Sequence, residues 1–147
     1  MSIAIDQALI STVLGGGLDA DIVHENGLYS TWSGSAYVSG QGVYTPSADR
    51  EYIEIHNFPA GVTDFSSNTS DEFVGIFQGI IKYPADAGAI TIKQKAEAFL
   101  ALFTIGSAIV YSGQNVFPTS KNRDGGRIEG GFYQIVCRVN YRAFVSR

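Results

Sequence analysis

Charge is what this sequence has least of. Only 16 % of its 147 residues are Asp, Glu, Lys or Arg, against about 25 % in an average soluble domain. Ser, Thr, Gly and Asn fill the difference. Such a surface is less costly to desolvate and suits a subunit that buries much of itself against neighbours; a monomer with a neutral polar surface has the same composition. The net charge of −4 offers no clustered Lys and Arg footprint for unaided nucleic-acid binding. A single cysteine, Cys137, excludes an intrachain disulfide and a cysteine-rich zinc site. The longest apolar run, 98–111, is broken by Thr104, Gly106 and Ser107 and falls short of the roughly 18 residues that a membrane span needs. The opening "MSIAIDQALIST" has an early acid and no basic region, so neither a secretory signal nor a membrane partner is expected, and synthesis in the cytosol is.

Groups that could converge for catalysis are also scarce. His24 and His56 stand apart, and neither has the HExxH spacing of a zinc helix. No G-x-S-x-G elbow occurs; "WSGSA" at 32–36 has neither that pattern nor a following helix. The triple glycine at 15–17 lacks the Lys-Ser or Lys-Thr that would make it a phosphate cradle. "KNRDGGR" at 121–127 is the one charge cluster, either an electrostatic contact with a partner or phosphate, or a solvated hairpin tip. No catalytic, cofactor or metal residue is assigned, and the chain is not expected to be an enzyme.

What is present is a patterned single domain over 1–147. Ile5, Leu9 and Val13 recur at helical spacing, Ser2 is placed to cap that helix, and the triple glycine ends it. Residues 27–48 are a Gly/Ser/Tyr-rich loop or insertion without a firm period, with room for a strand in "IVHENGLYSTW" and another in "GSAYVSGQGVY". "EYIEIHNF" alternates as a half-buried strand that Pro59 and Gly61 should end, leaving 60–71 as a long polar loop. A strand follows with Phe73, Gly75, Phe77, Gly79, Ile81 and Tyr83 on one face and Val74, Ile76, Gln78, Ile80 and Lys82 on the other. Pro84 stops it. A helix over about 89–103 comes next, with Ile92, Ala96, Phe99, Leu100 and Phe103 inward and "TIKQ" at 91–94 as a capping box. "AIVYS" is a short strand, 119–128 a loop or hairpin, and "FYQIVCRVNYRAF" a strand with one wet face on which Cys137 points inward. The order predicts α+β: a mostly antiparallel sheet with two helices packed on one face.

A strand that is apolar on both sides must be covered on both. Two short helices cover one, and Gly75 and Gly79 would admit a close backbone. The Gly75, Phe77 and Gly79 face is therefore expected to pack on another subunit.

The succession "EYIEIHNFPAG", "FVGIFQGIIKYPADAG", "KAEAFLALF" and "GGFYQIVCRVNY" resembles the tail terminator family of long-tailed bacteriophages. The resemblance rests on Gly75-Ile76-Phe77, the turn at 84–88, Ala96, Ala98, Phe99 and Phe103, and covers 1–15 and 50–145; the 27–48 stretch is longer than the family pattern. It implies a virion structural protein, assembled in the host cytoplasm, that forms a homo-oligomeric ring, a hexamer in the usual case. That ring would sit at the head-proximal end of the tail, stop polymerisation of the tail tube protein, and meet a head–tail connector protein. DNA would pass through its lumen without sequence-specific binding. On this reading Gly75, Phe77 and Gly79, the 60–71 loop and the 119–128 loop are expected at the subunit interface, with Arg123, Asp124 and Arg127 pairing across it. Another head–tail joining or tube subunit, or a small-ligand binding module, remains the alternative.

Overall fold

The two-sided strand forms and is central to the molecule. In the computed structural model, which describes residues 3–46, 50–65, 70–85 and 88–146, helix α1 spans Ile3–Leu14. Strands β1 (Asp21–Val23), β2 (Leu28–Trp32), β3 (Tyr37–Gln41), β4 (Tyr52–Phe65) and β5 (Ser70–Pro84) follow. Helix α2 (Ala89–Ala101) leads to β6 (Ile109–Tyr111), β7 (Gln114–Arg123), β8 (Arg127–Glu129) and β9 (Phe132–Ser146). The strands form one sheet in the order β3-β2-β1-β4-β5-β9-β7-β6, and β8 pairs with the start of β9. Every pairing among the described residues is antiparallel except β1 with β4. The architecture is α+β, with both helices on one face of the sheet.

The helical stripes are those that the spacing predicts. α1 buries Ile5, Ala8, Leu9 and Val13; α2 buries Ile92, Ala96, Phe99 and Leu100. They close over Ile53 and Ile55 of β4, Phe73, Phe77 and Ile81 of β5, and Ile135, Cys137 and Val139 of β9. Phe77, Phe99 and Phe103 form an aromatic cluster with ring centroids 5.6 to 6.4 Å apart.

The two glycines of β5 belong to this core. A Cβ on Gly79 would lie 2.4 Å from Cζ of Phe99, and one on Gly75 would lie 2.5 Å from the Tyr141 hydroxyl. Each glycine is the seat of an aromatic ring from the chain itself: Phe99 of α2 over Gly79, Tyr141 of β9 over Gly75. The expectation that Gly75, Phe77 and Gly79 pack on another subunit is corrected, because this face is sealed within the chain and Phe77 is 1 % exposed.

Other boundaries also differ from expectation. β4 does not stop at Pro59 but runs on to Phe65, with a register shift between Pro59 and Gly61. The reason is local: β1 pairs only with 52–54, so Pro59 lies on an edge stretch, where a missing N–H is tolerated at a bulge. Most of the expected 60–71 loop is therefore paired hairpin, with 66–69 outside the described residues. The 119–128 loop is likewise mostly strand, since β7 continues to Arg123 and β8 resumes at Arg127. Helix α2 starts a turn before the expected Thr91 capping box: Gly88, at φ 84°, is the N-cap and no side chain bonds there. Ser2 lies outside the described residues. Within the 27–48 stretch, 28–41 form the β2–β3 hairpin, which extends the sheet, and Tyr29 lies over Gly40 as the other rings lie over theirs, while 47 and 48 lie outside the described residues.

Filling the seat of Phe99 should be costly. Gly79→Val is expected to destabilise the fold by about 1–3 kcal/mol through forced repacking, whereas Gly61→Ala, where an added Cβ meets nothing within 4 Å, should be near neutral. Urea midpoints of both variants check this, and an unchanged midpoint for Gly79→Val would contradict the seat.

Candidate assembly surface

Alternation that turns Phe73, Phe77 and Ile81 inward sends their neighbours to the opposite face, which no helix covers. Register places Glu54, Ile80 and Val136 in one row, His56, Gln78 and Arg138 in the next, then Phe58, Ile76 and Asn140. Val74 and Phe117 flank Arg142 beyond them. Phe58 is 48 % and Val74 36 % exposed; Ile76, Ile80 and Phe117 are half-buried. At one end Tyr44, Tyr52 and Phe132 stack with centroids 5.3 and 5.4 Å apart, and this cluster shields Tyr52.

Polar groups between these residues are paired across strands. Lys82 Nζ lies 3.2 Å from Glu54, and Arg142 lies 3.9 Å from Glu72 and over the Phe144 ring. Asn140 donates to Ser120 at 2.7 Å. Exposed pairs of this kind contribute only about 0–1 kcal/mol each. They leave a mixed surface of aliphatic and aromatic patches between charges that, Arg138 excepted, are paired.

The expected interface charges are engaged elsewhere. Arg123 Nε donates to Glu97 Oε1 at 2.7 Å, tying β7 to α2. One oxygen of Asp124 accepts from the backbone N–H of Gly126 and of Val136, both at 3.1 Å, and so shapes the β7–β8 turn. Arg127 pairs with Glu129 of its own strand at 3.2 Å, both well exposed. Arg123 and Asp124, expected to pair across a ring contact, each hold their own chain together. Arg127 stays at the surface.

Two polar constellations went unmarked in the sequence. Asp21 is buried; its carboxylate accepts from the Trp32 N–H at 2.9 Å and the Tyr44 hydroxyl at 2.6 Å, and pairs with Arg50 at 3.3 Å. It thereby fastens the β2–β3 hairpin and the chain after it to the sheet. The second is a chain in which Tyr141 donates to Asn57 Oδ1 at 2.7 Å and Asn57 donates to Asp6, while Glu25 accepts the Asn57 N–H at 3.1 Å. That chain adjoins a cavity of about 150 Å³ lined by Asp6, Ile10, His24, Glu25, Leu28, Ile55, Asn57 and Phe77. His24 touches Ser30 Oγ at 2.8 Å, and burial holds its imidazole below the ordinary value. Neither constellation shows a periodic signal, because each joins residues that are far apart in the chain.

The remaining expected residues fall as follows. Cys137 is fully buried, and desolvation pushes its thiol up to about 12, so it carries no thiolate at neutral pH. His56 stands 3.9 Å from Glu54 on the uncovered face. Among the described residues no three of His, Cys, Asp and Glu gather as a metal cluster would require, and no helix is long and apolar enough to cross a membrane.

Asp21→Ala should lower stability by about 1–3 kcal/mol, because it strips buried donors of their acceptor. Hydrogen exchange should show the largest acceleration in β2 and β3, and a uniform acceleration would contradict the anchoring role. Because the folded His24 imidazole sits below 6.5, the unfolded chain takes up that proton first as pH falls. Stability should decline from about pH 6.5 downward, then level off below the folded-state value. His24→Gln should flatten that slope in urea unfolding at several pH values, and an unaltered slope would contradict the assignment.

No family model matches the chain, and no curated protein matches it in sequence. A solved structure does superpose on it, with a TM-score of 0.65 over 95 % of this chain and 90 % of its own, at 17 % sequence identity. That likeness is one of fold.

Proposed function

We propose that this chain is a structural subunit of a virion, one that closes into a ring on the end of a phage tail tube in the manner of a tail terminator. The observation that carries the reading is the uncovered sheet face. Phe58, Val74, Ile76, Ile80 and Phe117 lie on the side opposite the helices, and apolar residues on a sheet face call for a covering layer. Scarce charge keeps the desolvation cost of such a contact low. The resemblance of "FVGIFQGIIKYPADAG" and its flanking segments to tail terminators supplies the identity of the neighbours: the tube protein, a head–tail connector protein, and DNA in the lumen. On this reading the protein performs no chemistry, and its activity is to end a polymer and offer a joining surface.

A second reading has one observation in its favour. The cavity beside His24 and Asn57, at about 150 Å³, is below the roughly 300–1,000 Å³ of ordinary ligand pockets. That cavity would hold only very small molecules and touches only Phe77 of the Phe/Gly face, whereas a more open groove of about 500 Å³ beside Val23, Tyr44 and Tyr52 falls within the ligand range.

Solution mass by light scattering across protein and magnesium concentrations, with negative-stain images of each fraction, separates the readings. Closed hexameric rings are expected. Long tubes would instead make this a tube subunit. A strict monomer, even in the presence of tail tubes, would overturn the ring reading in favour of the binding module.

A further inference from the structure

Scarce as charge is, its two signs are not mixed. Ten of the fourteen acidic residues precede Lys82, where Arg50 is the one base. From Lys82 onward there are nine of the ten bases and four acids. The sheet order turns this sequence asymmetry into a spatial one. β1 to β4 lie on one side of β5, and β9, β7 and β6 lie on the other. The first side carries Asp19, Glu25 and Glu51 around β1 and the entry to β4, with Lys95 of α2 reaching the Leu18 carbonyl beside Asp19; the second carries Lys121, Arg127, Arg138 and Arg142.

Internal pairing does not cancel the separation. Arg50 neutralises Asp21, Lys82 neutralises Glu54, and Arg127, Arg123 and Arg142 are matched by Glu129, Glu97 and Glu72. Among the described residues Asp19 and Glu25 on one side, and Lys121 and Arg138 on the other, have no ion pair. Lys121 instead donates to the carbonyls of Leu100 and Phe103 at the end of α2, at 3.0 and 2.9 Å.

From this we infer that a second copy of the chain docks head to tail, the acidic β1–β4 side of one subunit against the basic β7–β9 side of the next. The inference rests on the ring reading above and names the surfaces by which the ring closes. A two-fold contact through either side would set like charges against each other, which costs several kcal/mol at close range. A head-to-tail contact sets opposite charges together and, repeated, gives a closed ring or an open filament. The charges set orientation and encounter rate, and the neutral Ser, Thr and aliphatic surface around them supplies the buried area.

The test uses the full chain and two charge-reversed variants, Glu25→Lys with Glu51→Lys, and Arg127→Glu with Arg138→Glu. Circular dichroism melts serve as the check on folding. Wild type should assemble at low salt and weaken between about 50 and 500 mM, as the screening length shortens. Each variant alone should associate about tenfold or more weakly. An equimolar mixture of the two should recover assembly, because each again meets an opposite charge. Rings that persist in both variants would overturn the assignment of these two charged sides to the contact and leave the ring reading standing. Filaments that the variants abolish and the mixture restores would uphold the inference and overturn the ring. Folded variants that stay dissociated when mixed would show that the substitutions do not act through charge complementarity and would sink it, as would a wild type that remains monomeric at low salt.

Discussion

The tip of an aromatic ring can come close to a β-strand where the strand carries no Cβ, and this fold uses that room repeatedly. Phe99 lies over Gly79, Tyr141 over Gly75 and Tyr29 over Gly40. Burying a phenylalanine contributes about 1.5–3 kcal/mol, and here the ring also sets the height at which helix α2 rides on the sheet. The Phe77, Phe99 and Phe103 cluster grows from that placement. The Tyr141 ring brings its hydroxyl to Asn57, and Asn57 reaches Asp6 of helix α1. Both helices are thus positioned from β5, directly in one case and through a hydrogen-bonded chain in the other.

With the helical layer closed on itself, contacts with other molecules fall to the opposite sheet face and to the lateral edges of the sheet. The face has aliphatic and aromatic patches among mostly paired charges, and the edge strands β3 and β6 carry no charge. This division assigns stability and assembly to different residues. The glycine seats, Asp21 and the Asn57 chain hold one subunit together; on the proposed reading the exposed charges and the Phe58 to Val74 surface would face its neighbours.

The legible parts of the sequence were those governed by period. The 3.6-residue stripe of Ile92, Ala96 and Phe99 and the alternation in "FYQIVCRVNYRAF" predicted both their elements and their core faces, though the expected wet face of that strand is buried at Gln134 and Val136. Alternation also located Gly75 and Gly79 on one face, but period does not say whose ring fills the space above a glycine. The nearest candidates, Phe99 and Tyr141, are 20 and more residues away along the chain. Pro59 misled because its cost depends on whether a neighbour strand needs its N–H, and β1 is too short to reach it. Residues 27–48 gave no period since their strands are held by Asp21 and by Tyr29 on Gly40 rather than by an alternating apolar face. Arg123 and Asp124 look like a charged tip in sequence, yet β7 carries the first to Glu97 and the turn folds the second onto Val136.

The central claim is that the Gly75, Phe77 and Gly79 face is closed by the chain's own rings. Hydroxyl-radical footprinting of side chains, on dilute protein and on assembled protein, tests it most directly. Phe77 and Phe99 should resist oxidation equally in both states, while Phe58 should be oxidised when dilute and protected on assembly. Oxidation of Phe77 and Phe99 in the dilute protein, with protection appearing only on assembly, would show that a neighbouring subunit covers this face and would contradict the account.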